Sequence, residues 1–184
     1  NNRLHAVSAN FQNPTYGHLL TFDLSTMALI SDVVLAALSA GFTFTSYVTV
    51  DALGSAYVTN SNRGIIYKVD LSGNASIYFQ DDSLSPSEVA ESGLNGIAYH
   101  PNGFLVLAHT EQGAIYKLSI DSTPTLSTLN LPEGAVARPD GIEVSGNTLN
   151  TVNGGSLAGY VAQFAMDEAW TNGTSQGDTF ATGS

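Results

Sequence analysis

The chain has no cysteine, so neither a disulfide framework nor a thiol nucleophile is available to it, and cysteine usage leaves the redox compartment open. Positive charge is scarce as well. Only 5 Lys+Arg stand against 16 Asp+Glu, a formal net charge of -11, which argues against a phosphate backbone or an anionic lipid surface as partner. Nucleic acid and membrane are set aside on that ground. Long hydrophobic runs are also missing. The most apolar stretch, Met27 to Phe44, is interrupted by Asp32 and Gly41 and is too short to span a bilayer. No strand-turn-helix Gly-x-Ser-x-Gly elbow, His-Glu-x-x-His pair, phosphate-cradling glycine loop or EF-hand spacing is present, so the common hydrolase templates do not apply. With 43% hydrophobic residues and no shift in composition along its length, the chain reads as one domain over residues 1–184.

What the chain does have is a repeat. Thr45-Ser46-Tyr47-Val48-Thr49-Val50-Asp51, Leu94-Asn95-Gly96-Ile97-Ala98-Tyr99-His100 and Pro139-Asp140-Gly141-Ile142-Glu143-Val144-Ser145 are three versions of one phrase. Each is followed by a short turn and two more apolar runs: Ala56–Asn60 and Ile65–Val69, then Phe104–His109 and Ala114–Leu118, then Thr148–Asn153 and Gly159–Phe164. All are short, rich in β-branched and aromatic residues, and bounded by Gly, Asn, Asp, Ser or Pro, which predicts strands. The tight turns Asp51–Gly54, His100–Gly103 and Ser145–Asn147 predict consecutive hairpins. A fourth run closes each unit, at Ala75–Gln80, Thr125–Leu129 and, more weakly, Thr179–Thr182.

The offset from Ser46 to Asn95 is 49 residues and from Asn95 to Asp140 is 45, the length of one four-stranded propeller blade. The expected fold is therefore all-β, a β-propeller of four-stranded antiparallel blades. Residues 4–35 fit a further blade without its first strand, giving about four blades. Such a set forms either a small ring or part of a larger one.

In an up-and-down blade the start of the first strand and the end of the second share one end. Ser46, Asn95 and Asp140 should therefore lie at one channel mouth with Asn60, His109 and Asn153, while Asp51, His100 and Asn102 lie at the other. Asn and Asp oxygens gathered in this way suit a hard cation such as Ca²⁺, with Asn95 and Asp140 as candidate ligands. The alternative is that Asn-Gly and Asp-Gly are strand-entry turns bonded to their own backbone. His109 is either a proton shuttle or substrate contact, or a half-buried polar residue. Tyr67 and Tyr116, on the third strands, are expected to pack between blades. Asn74-Ala75-Ser76 and Asn172-Gly173-Thr174 match the N-glycosylation pattern, and with the scarcity of lysine they suggest a secreted glycoprotein.

The phrases Gly93-Leu94-Asn95-Gly96-Ile97-Ala98-Tyr99-His100-Pro101-Asn102-Gly103 and Arg138-Pro139-Asp140-Gly141-Ile142, with Tyr57–Ser61 and Ile66–Asp70, resemble the gluconolactonase family, which includes senescence marker protein and luciferin-regenerating enzyme. The resemblance runs from about Gly17 to Trp170 and implies part of a propeller of six blades. It also implies a divalent cation, commonly Ca²⁺, held by Asn95, Asp140 and a first-blade Glu. Asp140 would then be the base that helps water attack a lactone or ester carbonyl, with Ser46, Asn60, His109 and Asn153 as candidate substrate contacts. Two features depart from the family pattern. Ser46-Tyr47 stands where the family often has Asn-Asp, and no counterpart of the Glu is present. A non-catalytic secreted propeller that binds a small molecule or protein at the same mouth is the alternative reading.

Overall fold

The computed structural model describes residues 2–10, 12–13, 15–88, 91–154 and 159–181. They form two compact units, Asn1–Leu94 and Asn95–Ser184. The first unit contains β1 (Arg3–Ala9), β2 (Gly17–Asp23) and β3 (Leu29–Val34), then β4 (Thr45–Val50), β5 (Ala56–Asn60), β6 (Ile65–Val69) and β7 (Ala75–Gln80). The second is built from β8 (Leu94–His100), β9 (Phe104–His109), β10 (Ala114–Ser119) and β11 (Leu126–Thr128), then β12 (Pro139–Ser145), β13 (Thr148–Asn153), β14 (Tyr160–Met166) and β15 (Gly173–Ala181). The sheet orders are β1-β2-β3, β4-β5-β6-β7, β11-β10-β9-β8 and β12-β13-β14-β15, so every strand pairs with its neighbour in sequence. These are β-propeller blades, antiparallel meanders, and three of the four sheets have the four strands that the repeat predicts.

The first sheet has three strands, and their place in the pattern is clear. β1 packs against β4 as β9 packs against β12, so β1 holds the position of a second strand. Among the described residues helix is confined to two short 3-10 turns, Leu35–Leu38 and Asp82–Leu84. No helix among the described residues is long and apolar enough to cross a membrane.

Two second strands are the hubs of burial. Every residue of β5 and of β9 is buried, so both faces of these strands are covered. In the first unit Leu19, Leu35, Val58, Ile65 and Tyr67 form the core, while in the second Val106, Leu149, Phe164 and Trp170 do.

The first hairpins of two blades are set by a side chain that accepts backbone N–H groups just ahead of it. Asp51 Oδ1 takes the N–H of Leu53 and of Ser55, both at 2.9 Å, and Gly54 completes the turn at φ 88°. His100 does the same work in the next blade, its Nδ1 accepting the Asn102 N–H at 3.1 Å. The turns between third and fourth strands carry a second series that the repeat analysis missed. Asp23, Asp70, Asp121 and Asp167 each accept local backbone N–H groups, from Ser25, Ser72, Thr123 and Thr171 respectively. Hydrogen bonding holds the carboxyls of Asp23, Asp70 and Asp167 below their ordinary range.

The last sheet corrects one expectation. β15 begins at Gly173 rather than Thr179 and pairs with β14 from Met166↔Gly173 to Tyr160↔Ala181, while Thr182 lies outside the described residues. Its first half, Gly173-Thr174-Ser175-Gln176-Gly177-Asp178, has loop composition. An edge strand needs only its backbone for pairing, and two register shifts absorb the misfit with β14.

His100 links the two sheets of the second unit. It is 4% exposed, faces the Gly146 carbonyl through Nε2 at 3.2 Å, stacks on Phe104 at 4.4 Å, and lies 4.8 Å from the Trp170 ring. Since Nδ1 accepts from Asn102, Nε2 carries the proton and donates to Gly146, so the ring is neutral. Burial, with a smaller contribution from the charge of Lys117, holds its pKa below the ordinary 6.5. The unfolded chain therefore takes up the proton first as pH falls. Stability should be flat above about pH 6.5 and should decline from there down to the lowered folded value. Denaturant midpoints at pH 7.5 and 5.0 check this: His100→Gln should show a smaller difference than the wild type. His5, lowered chiefly by burial and also by Arg3, supplies a further part of the slope.

Candidate functional site

The strand-entry residues are shaped by local irregularity. The register of β4 on β5 shifts between Thr45 and Val48, and that of β12 on β13 shifts between Pro139 and Ile142. The bulges fall on Ser46-Tyr47 and Asp140-Gly141, the same slot of the repeat, where an extra residue re-aims side chains. In the first unit the Tyr47 N–H is taken by Thr59 Oγ1 at 3.2 Å. Ser46 is half-buried and Asp140 is exposed.

In the second unit Asn95 and the Asp140 segment are brought together by two contacts. A Cβ on Gly96 would run into the Asp140 carbonyl oxygen and come within 2.9 Å of the Ile142 nitrogen, so the backbone of Gly96 lies directly on the entry of β12. The second contact is a chain of hydrogen bonds. Thr110 Oγ1 donates to the Pro139 carbonyl at 2.7 Å, and Asn95 Nδ2 donates to Thr110 Oγ1 at 3.0 Å. A hydroxyl has one proton. Because Thr110 gives it to Pro139, it can only accept from Asn95, which fixes the amide with Nδ2 toward Thr110 and Oδ1 directed away.

The ends of the second strands serve a different purpose. Asn60, His109 and Asn153 are fully buried at 0% exposure. Asn60 Oδ1 accepts the N–H of Phe44 at 3.1 Å and of Asn62 at 3.2 Å, while its Nδ2 donates to the Tyr67 hydroxyl at 3.1 Å. Asn153 repeats the pattern, Oδ1 accepting from Ala137 at 3.3 Å and Nδ2 donating to Thr151 Oγ1 at 2.8 Å. His109 Nδ1 accepts the Gln112 N–H at 3.3 Å. These side chains tie the segment entering the first strand, or the turn leaving the second, to the blade. Tyr67 is buried in the core of the first unit, and Tyr116 bonds Gln112 through its hydroxyl.

Two features were absent from the sequence reading. Thr110 follows the end of its second strand as Ser61 and Gly154 follow theirs, so the repeat held a signal for it. The other is a His–Asp pair in the first unit: His18 Nδ1 lies 2.6 Å from Asp32 Oδ1, with the Tyr16 ring tilted against the imidazole at 4.2 Å. His18 sits opposite Val34, two residues from Asp32 on the same face of β3, so cross-strand register creates the pair. With Asp32 46% exposed, it is a solvent-facing contact whose weight in stability is small. The glycosylation candidates Asn74 and Asn172 are exposed and lie immediately before β7 and β15.

Asn95 and Asp140 supply an amide and a carboxylate oxygen, which is the right chemistry for a hard cation. The set is short in number. No group of three His, Asp or Glu side chains that could hold a metal occurs among the described residues, so backbone carbonyls and water would have to complete the coordination.

No protein-family model matches the chain, and no curated protein does. Solved structures do match. A protein from Lactobacillus plantarum is similar with a TM-score of 0.67 at 17% identity, over 97% of this chain and 52% of its own. A candidate 6-phosphogluconolactonase from Bacteroides uniformis gives 0.63 at 16% identity, over 96% and 53%. Virginiamycin B lyase from Staphylococcus aureus gives 0.56 at 14% identity, over 86% and 50%. The likeness is one of fold. This chain spans about half the length of each of the three.

Two substitutions test the geometry. Gly96→Ala should destabilise the second unit by about 3 kcal/mol, because the added methyl meets backbone that cannot yield. Thr110→Val should cost about 1–3 kcal/mol by removing the hydroxyl that joins the Pro139 carbonyl to Asn95 Nδ2, and Thr110→Ser should recover most of that loss. Urea unfolding followed by circular dichroism measures both.

Proposed function

We propose that this chain carries part of a divalent-cation-dependent hydrolytic site for lactones or related esters, with Asn95 and Asp140 as oxygen ligands and Asp140 as the base. The observation that carries this reading is the bond chain from Asn95 through Thr110 to Pro139. It ties the Asn95 amide, through Thr110, to the entry of the strand whose bulge carries Asp140. The motif resemblance to gluconolactonases and the fold likeness to a candidate 6-phosphogluconolactonase point the same way.

When bound, Ca²⁺ or a similar ion would supply Lewis-acid polarisation of the substrate carbonyl. The chain's own residues do the rest. Thr110 holds the Asn95 amide in one orientation, and the exposed Asp140 carboxylate can accept a proton from water as it attacks the carbonyl carbon. Ser46 sits at the equivalent bulge of the first unit and is a candidate substrate contact within that unit. Asn60, His109 and Asn153 would act through the backbone they hold.

A second reading, a non-catalytic binder of a small molecule or protein at this end, is favoured by the small number of ligating side chains. Turnover separates the two. With Ca²⁺ and a panel of sugar lactones and aryl esters, the hydrolase reading expects activity that falls at least about a hundredfold in Asp140→Ala. Asn95→Ala should weaken cation binding by about tenfold or more in calorimetry. Unchanged turnover in Asp140→Ala overturns the assignment, and absence of turnover with every substrate favours the binder.

A further inference from the structure

The first unit holds a second polar site, at the end of β1 where the hairpin turns lie. Arg3 and His5 are two residues apart on β1 and so share a face. Two clefts meet at them. One, of about 110 Å³, is lined also by Thr21, Ser31, Asp70 and Ser72; the other, of about 310 Å³, extends to Asp51 and Leu53.

The donors on this surface have capacity to spare. The Arg3 guanidinium gives one N–H to the Leu71 carbonyl at 3.0 Å and makes no other hydrogen bond or ion pair among the described residues. That is unusual in a chain with 16 Asp+Glu and 5 Lys+Arg, where carboxylates outnumber their possible partners. The two aspartates on the rim are held away from it by the turns they build. Asp70 Oδ1 accepts from Ser72 at 2.8 Å and from Asn74 at 2.9 Å, and its Oδ2 accepts from the Asn74 amide at 2.9 Å. Asp51 is likewise occupied by Leu53, Ser55 and the Tyr57 hydroxyl. His5 is anchored through Nδ1 to Thr21 Oγ1 at 3.0 Å, which leaves Nε2 as its remaining polar atom.

We propose that these clefts form one binding site for a small hydroxylated monocarboxylate. The open guanidinium fork takes the carboxylate, with His5 Nε2 beside it. The hydroxyls are received by the remaining lone pairs of Asp51 and Asp70 and by the Ser31 and Ser72 hydroxyls. With two aspartates beside one arginine, the site disfavours a dianion such as phosphate more than a monoanion, which needs only the guanidinium as its partner. The site lies wholly in the first unit and does not depend on Asn95 or Asp140.

The test is an amide chemical-shift titration of the full chain with glycerate. Glycerol supplies the hydroxyls alone, propionate the carboxylate alone, and inorganic phosphate the dianion. Saturable shifts confined to the amides around Arg3, His5 and Leu71–Gly73 are expected with glycerate, and glycerol, propionate and phosphate should each bind about tenfold or more weakly. Arg3→Gln should weaken glycerate by about tenfold or more, Arg3→Lys should retain part of the affinity, and Asp140→Ala should leave it unchanged. Absence of shifts at these amides overturns the site, as does unchanged binding in Arg3→Gln. Phosphate or glycerol binding as tightly as glycerate overturns the ligand class.

Discussion

A side-chain acceptor that captures the backbone N–H two residues ahead is the bond on which the rest of this structure depends. It closes the hairpins at Asp51 and His100 and the outer turns at Asp23, Asp70 and Asp121, while Asp167 closes its turn by reaching the N–H of Thr171, four residues ahead. Turn closure fixes strand register, and register decides which residue of each strand faces the core, because a slip of one position exchanges the faces. The same bonds account for part of the acidity of the chain. Aspartates in the turns are structural acceptors, while Asp140 stands outside that series, exposed on a bulge.

The first and second strands were legible in the sequence because their repeats combine β-branched runs with turn residues at fixed offsets. The first half of β15 was not, since an edge strand can be built from Gly, Ser and Gln once its partner supplies the ladder. The outer aspartates recur at almost the blade spacing, yet their neighbours differ from turn to turn. Asp23 and Asp70 share an Asp-Leu-Ser sequence that Asp121 and Asp167 lack, so the common element is one carboxylate rather than a phrase.

The candidate site was legible to a similar depth. Placing Asn95 and Asp140 in one slot of the repeat anticipated that their segments would meet, and Gly96 shows how closely they do. Burial was harder to foresee. Asn60, His109 and Asn153 carry the same polar chemistry as surface ligands, but each has 0% exposure and a backbone partner, a distinction that residue type does not encode. Thr110 and the His18–Asp32 pair depend on which atoms face each other across strands. That information belongs to register rather than to composition.

Trp170 illustrates how much the second unit invests in closing its last hairpin. Its backbone adopts φ 53°, an unfavourable conformation for a bulky residue, and its ring is fully buried with no hydrogen-bond partner for the indole N–H among the described residues. Packing against His100 and Phe104, with ring centroids at 4.8 and 5.5 Å, offsets that cost. Because it is the single tryptophan of the chain, it also gives the molecule a built-in optical label. Indole emission reports the packing of Asn95–Ser184 alone, and a signal shared by both units, such as backbone ellipticity, would reveal whether the two halves melt together or one after the other.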